Sequence, residues 1–160
     1  MKRAYLTLRH ITEWLGTLFL SAMVVIVFVT VITRYFFKYT APWAEEVALL
    51  LMVWFGFLGI AIGVAERLHL RIDVLTEALP PWFKTFLNRL SRVLVLLVGV
   101  FMVWEGWKLV QVTHESTMAG TKLPSSVLYV VIPIAGLLIV LHTLLQALGV
   151  ETDPAKEGVE

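Results

Sequence analysis

The chain has 160 residues, of which 59% are hydrophobic and 16% are charged, and its net charge is +1. Soluble domains carry about 25% charged residues, so this composition excludes an ordinary soluble globular protein, and its high apolar content excludes a disordered chain. The sequence contains no cysteine, which rules out disulfides, iron–sulfur clusters and cysteine-bound zinc. The balanced charge predicts no nucleic-acid partner.

Four apolar stretches of 19 to 22 residues follow one another along the chain, and together they contain only two charged residues, Glu105 and Lys108. About 20 helical residues cross a hydrocarbon core of about 30 Å, and in such a core the backbone must form its hydrogen bonds internally. The sequence therefore predicts an all-α integral membrane protein, one domain over residues 1–160, with four transmembrane helices in the lipid bilayer. Their predicted boundaries are 15–33, 47–65, 93–112 and 127–148.

The N-terminal segment and the loops predict how these helices are oriented. The first stretch follows basic residues, but it is longer than the 7–15 residues of a signal core and has no small-residue cleavage site, so we expect a retained anchor. Nine Lys and Arg residues lie in segments 1–14, 66–92 and 149–160, against three in segments 34–46 and 113–126. The positive-inside rule then predicts that both termini and the middle loop are cytoplasmic.

Two connections have recognisable local patterns. Thr40 or Ala41, followed by Pro42, predicts a helix start, because proline suits the first turn. Residues 71–92 of the middle loop repeat apolar side chains at helical spacing, which predicts an amphipathic interfacial helix. The alternative is that this segment extends the third span. A continuous helix over 82–112 would be about 46 Å long.

The charged pair Glu105 and Lys108 is the first candidate for function, because an ionisable residue in a membrane span is a functional hypothesis by default. It could contact a coupling ion or a substrate. Alternatively, it is an intrahelical pair near a membrane interface, since Trp104 and Trp107 flank it and tryptophan prefers the headgroup level. The sequence leaves this role open.

The second span contains candidates for contact with a partner. Glu45 and Glu46, beside Trp43, could form an acidic site that binds a partner. Alternatively, their negative charges could simply interact favourably with the positive end of the helix dipole. Gly59 and Gly63 form a Gly-x-x-x-Gly pair, which allows close packing of helices. That packing could occur within the chain or against another subunit.

Histidines on different helices could hold a b-type haem. His69 and His142 both lie toward the cytoplasmic side, so a haem-binding membrane anchor of a redox enzyme is the alternative function. Simpler explanations are a local contact of His69 with Asp73 and a helix–helix hydrogen bond of His142. The prediction is therefore that the chain holds no cofactor and no metal.

Polar groups are scarce in the middle of the spans, although a solute path needs them there. The sequence also shows no nucleophile–base set, phosphate loop or carboxylate cluster. These features indicate a subunit of a larger assembly, and neither an enzyme nor a stand-alone homo-oligomeric channel or exporter.

An ordered set of motifs runs through the whole chain. It consists of Trp43-Ala44-Glu45-Glu46, then Trp54, Gly59 and Ala61, then His69 and Asp73 before a proline-containing loop, and finally Leu123-Pro124, Tyr129 and Ile132-Pro133-Ile134. This combination resembles the small membrane subunit of the tripartite ATP-independent periplasmic (TRAP) transporters.

The resemblance implies a heterodimer with a large membrane subunit that carries the substrate and sodium sites, in the bacterial inner membrane. A periplasmic solute-binding protein would deliver the solute, in most cases an organic acid such as a C4-dicarboxylate. The small subunit would act as a scaffold without a substrate site, and the Glu105–Lys108 pair lies outside the pattern. The residues that the resemblance proposes for assembly or docking are Trp43, Glu45, Glu46, His69 and Asp73.

Overall fold

The computed structural model describes residues 2–65 and 81–147, and nearly all of these residues are helical. No strand is present within these two ranges, where the only extended pairing is an isolated bridge between Thr117 and Pro124. Four helical stretches of the described chain are long and apolar enough to cross a membrane, which fits the predicted all-α membrane protein. The helices are α1 (Lys2–Phe37), α2 (Pro42–Ala65), α3 (Pro81–Thr113), the short α4 (Ser126–Tyr129) and α5 (Val131–Ala147).

The helix ends follow from local chemistry. α2 begins at Pro42, as its sequence predicts, and the Ala44 N–H donates to the Ala41 carbonyl at 3.0 Å. The fourth span is divided, because α4 ends at Tyr129 and α5 begins at Val131. Pro133 has no N–H with which to bond the Tyr129 carbonyl, and its ring crowds that carbonyl. Proline therefore separates the two helices and then occupies the first turn of α5, where a missing donor is tolerated.

The helix α3 is continuous over 33 residues, which corresponds to a length of about 50 Å. Residues 81–92 thus extend the third span, in agreement with the alternative to a separate interfacial helix. In this extension Trp82 and Phe86 are exposed, while the rings of Trp82 and Phe83 pack edge to face with centroids 5.5 Å apart. Residues 71–80, together with His69 and Asp73, lie outside the described residues.

The long helices pack in the order α1, α2, α5, α3. α2 and α5 therefore each have a long helix on both sides, whereas α1 and α3 form the two edges of the row. Phe19 of α1 packs edge to face on Trp54 of α2, with ring centroids 5.8 Å apart. A small buried cluster of Ala61, Val64 and Ile139 joins α2 to α5. Many large apolar side chains on all four long helices stay exposed, so this row leaves wide surfaces uncovered.

Three glycines allow α3 and α5 to pack closely. A Cβ atom on Gly136 would lie 2.8 Å from the Gly99 carbonyl oxygen and 3.0 Å from the Val103 amide nitrogen. A Cβ on Gly106 would lie 2.9 Å from Cδ of Pro133. Since neighbouring backbone atoms cannot move aside as a flexible side chain can, these helices meet at a distance that only glycine permits. We call this contact the glycine seam.

Candidate partner-docking surface

The connection between α3 and α4, here called the 114–125 loop, is folded by its own hydrogen bonds. The Met118 N–H donates to the Leu123 carbonyl at 2.9 Å, and the Ser125 N–H donates to the Ser116 carbonyl at 2.7 Å. Lys122 lies between them with φ of 59°, a left-handed turn conformation that an L-residue adopts only in special positions. The loop is therefore a defined structural unit at the end of the row where α2 begins.

Glu46 fixes this loop to α2. Its Oε1 accepts the Gly120 N–H at 2.7 Å, and its Oε2 accepts the Thr121 N–H at 2.8 Å and the Thr121 hydroxyl at 2.9 Å. Bonds from neutral donors to a carboxylate are among the stronger hydrogen bonds of proteins. Gly120 also packs directly on α2, since a Cβ there would lie 2.6 Å from the Pro42 carbonyl carbon. The Glu46 carboxylate is thus directed into its own chain.

Trp43 and Glu45 stay on the surface beside this contact. The Trp43 side chain is 49% exposed, and Glu45 is exposed one residue before the bonded Glu46. Of the two adjacent acids, therefore, Glu46 is bonded within the chain and Glu45 is exposed. Neither the composition nor the spacing of the motif distinguishes them, because the donors to Glu46 lie more than 70 residues away.

Trp54, which belongs to the same motif, forms a second long-range contact. Its indole Nε1–H donates to the Val127 carbonyl of α4 at 3.0 Å. This bond joins α2 to the short helix before the break at Val130. The tryptophan of the motif therefore has a role within the chain.

The Glu105–Lys108 pair forms within α3. The Lys108 ammonium lies 2.7 Å from Oε1 of Glu105. The Lys108 side chain is 53% exposed and the Glu105 side chain is 45% exposed. The same ammonium lies over the Trp104 ring, 5.3 Å from its centroid, a distance at which a cation–π attraction operates. The geometry is that of an intrahelical pair on an uncovered side of α3.

The two members of the Gly-x-x-x-Gly pair of α2 lie in different surroundings. A Cβ on Gly59 would meet no heavy atom within 4 Å, and the same holds for Gly56 one turn earlier, whereas Gly63 is buried. Close backbone contact occurs at the glycine seam, whose glycines are not among the residues predicted from the sequence. A signal existed, because Gly99 and Gly106 are seven residues apart and so lie on one side of a helix.

Comparison with known families identifies the chain. Residues 23–152 match the family model described as "Tripartite ATP-independent periplasmic transporters, DctQ component". The chain belongs to this DctQ component family. The resemblance to the small TRAP subunit is therefore confirmed, and the family is one of transport proteins.

Relatives of this DctQ-component chain carry consistent names. A Haemophilus influenzae protein, provisionally named a TRAP transporter small permease protein, is 28% identical over 117 residues, which make up 73% of this chain and 71% of the relative. The C4-dicarboxylate TRAP transporter small permease protein DctQ of Vibrio cholerae is 27% identical over 97 residues, covering 61% of this chain and 42% of the relative.

A third relative places a similar region in a longer protein. The sialic acid TRAP transporter permease protein SiaT of Haemophilus influenzae is 33% identical over 90 residues. The match covers 56% of the DctQ-component chain but only 15% of SiaT. A small-permease region can therefore be one part of a much longer permease, which supports a large membrane partner for the separate chain.

Several buried polar side chains of this DctQ-component chain lie near the C-terminal end of α5. His142 is 1% exposed, and its Nδ1 lies 2.7 Å from the Leu138 carbonyl oxygen. Gln146 donates through Nε2 to the Val64 carbonyl of α2 at 3.2 Å. His69, the other half of the haem hypothesis, lies outside the described residues, and within 2–65 and 81–147 no group of three potential metal ligands occurs. The family assignment favours transport over the haem-anchor alternative.

Proposed function

We propose that this chain is the small permease subunit of a TRAP-type secondary transporter and acts as a scaffold in a heterodimer with a large membrane subunit. The match to the DctQ component family over residues 23–152 carries this proposal. The open row of helices supports it, because large uncovered apolar surfaces at membrane depth suit packing against further membrane helices.

We further propose sodium-driven uptake of an organic acid through the bacterial inner membrane, with delivery by a periplasmic solute-binding protein. Two relatives are named for sialic acid and for C4-dicarboxylates, and both solute classes are carboxylates. The specific solute would be set by the large subunit and the binding protein, since the spans of this chain are poor in polar groups.

The proposed orientation places both termini in the cytoplasm and the 114–125 loop on the periplasmic side. On that side Trp43 and Glu45 form the proposed docking surface, and Glu46 supports it by holding the loop against α2. The proposed interfacial role of segment 71–92 would apply to the α3 extension, where Trp82 and Phe86 are exposed. The remaining candidates for assembly are Gly59, Gly63, His69 and Asp73.

The test is reconstitution of transport with and without this chain. Vesicles that contain the large subunit, the binding protein and a sodium gradient should take up solute only when this chain is also present. Vesicles with this chain alone serve as the control and should show no uptake. Full sodium-driven uptake without the chain would refute the scaffold role.

A further inference from the structure

One side of α3 carries an uncovered stripe of side chains. Its members recur at alternating intervals of four and three residues, the spacing at which helix positions share one side. Phe101 is 66% exposed, Leu94 53%, Val98 54% and Val112 79%. We call it the α3 stripe, and its members are Leu94, Val98, Phe101, Glu105, Lys108 and Val112.

The stripe has the dimensions of a contact with one membrane helix. From Leu94 to Val112 it extends for about 27 Å along α3, close to the hydrocarbon thickness of about 30 Å. Near Leu94 and Val98 it borders an apolar cavity of about 230 Å³, whose lining also includes Ile60 of α2 and Ile139 of α5. The stripe and this cavity form one continuous surface that no described helix covers.

The charged pair makes lipid a poor cover for this surface. Glu105 lies eight residues before the end of α3 at Thr113, which places it about 12 Å inside that end. A lysine facing lipid extends toward the nearest headgroups, but the Lys108 ammonium is instead held by Glu105 and lies over Trp104. Acyl chains offer no hydrogen bond to such a pair, so exposing it to lipid is costly.

The pair is neutral but has bonding capacity left over. Lys108 bonds Oε1 of Glu105, while Oε2 has no hydrogen-bond partner among the residues that the structure describes. A carboxylate can accept several hydrogen bonds, and an ammonium can donate three. A polar side chain on a neighbouring helix would complete this network, and interhelical hydrogen bonds of this kind join membrane helices.

We propose that a transmembrane helix of the large permease subunit packs along the α3 stripe and donates a hydrogen bond to Oε2 of Glu105. This inference rests on the proposed function, which supplies the large subunit as a partner. The relative SiaT supports that choice of occupant, because its region similar to this chain belongs to a much longer permease.

Photo-crosslinking in the complete complex tests the proposal, with p-benzoylphenylalanine in place of Phe101 or, as the control, Phe28. These two phenylalanines are 66% and 64% exposed and lie on opposite edges of the row. We expect irradiation to join the large subunit to position 101 at several times the yield at position 28. The proposal is overturned if the crosslinking yield to the large subunit at position 101 is no higher than at position 28. It is also overturned if position 101 crosslinks only to lipid or to a second copy of this chain.

A double substitution, Glu105→Leu with Lys108→Leu, tests the hydrogen bond. If the pair faced lipid, this change would be harmless, and recovery of the large subunit with tagged small subunit would stay unchanged, which overturns the proposal. If a partner donor faces Glu105, that donor is left buried and unbonded, and recovery should fall about tenfold. Failure of the unmodified chain to recover a large subunit would instead refute the proposed function, and this inference with it.

Discussion

Glycines occur in two regions of this membrane domain with opposite surroundings. At the glycine seam, Gly136 lies so close to α3 that a Cβ would collide with backbone atoms, whereas Gly56 and Gly59 of α2 face open space. Both regions are apolar helices with glycines at helical spacing. The difference lies in whether the chain itself supplies the opposing helix: the seam joins two helices of this chain, while the open glycines of α2 meet no heavy atom within 4 Å of a Cβ.

The largest effect is expected for Gly136→Leu, which should disrupt the packing of α3 against α5 at the glycine seam. Its side chain would have to displace the backbone of Gly99 and Val103, and overpacking of this kind costs about 3 kcal/mol. The isolated chain in detergent should lose most of its monodisperse yield, and the Tm of any recovered protein should fall strongly.

The matched control is Gly59→Leu, which places the same side chain where a Cβ meets nothing within 4 Å. The free energy of unfolding of the isolated chain should change by less than about 1 kcal/mol, whereas recovery of the complex should fall if the large subunit covers this side of α2. Equal destabilisation of the isolated chain by both substitutions would contradict the comparison.

The adjacent acids give a second, smaller contrast. Glu46→Gln keeps the shape of the side chain but replaces one acceptor oxygen with an amide donor, which would face the backbone donors of Gly120 or Thr121. Hydrogen exchange of the Gly120 and Thr121 amides should therefore become several times faster. Glu45→Gln, one residue earlier, should leave these amides unchanged and lower recovery of the complex. Unaltered exchange in the Glu46 variant would show that the loop holds itself in place.

The sequence predicts those parts of this fold that depend on neighbouring residues. Lipid imposes a length and an apolar composition on each span, so all four spans were recognisable, and Pro42 marked the start of α2. Pairing between distant segments leaves no such pattern. Glu46 and Gly120, or Trp54 and Val127, are more than 70 residues apart, and the glycine seam depends on which helices become neighbours. The motif therefore indicated the family but not which of its residues act within the chain.

A smaller effect is expected for Trp54→Phe, which removes one hydrogen bond and keeps an aromatic ring near Phe19. The lost donor leaves the Val127 carbonyl, beside the break between α4 and α5, without its indole partner. Such a bond contributes about 1 kcal/mol, so the Tm of the isolated chain should fall by a few degrees.

Trp43→Phe is the informative comparison with Trp54→Phe, because Trp43 belongs to the same motif but is 49% exposed. Its loss should leave the Tm of the isolated chain nearly unchanged, since surface substitutions usually alter stability by about 0.5 kcal/mol or less. Any effect should instead be a lower recovery of the large subunit, because exposed tryptophans are frequent anchors of interfaces. If Trp43→Phe lowered the Tm as much as Trp54→Phe and left recovery unchanged, the motif would serve folding alone. The docking surface would then lie elsewhere, and the α3 stripe would be the next surface to test.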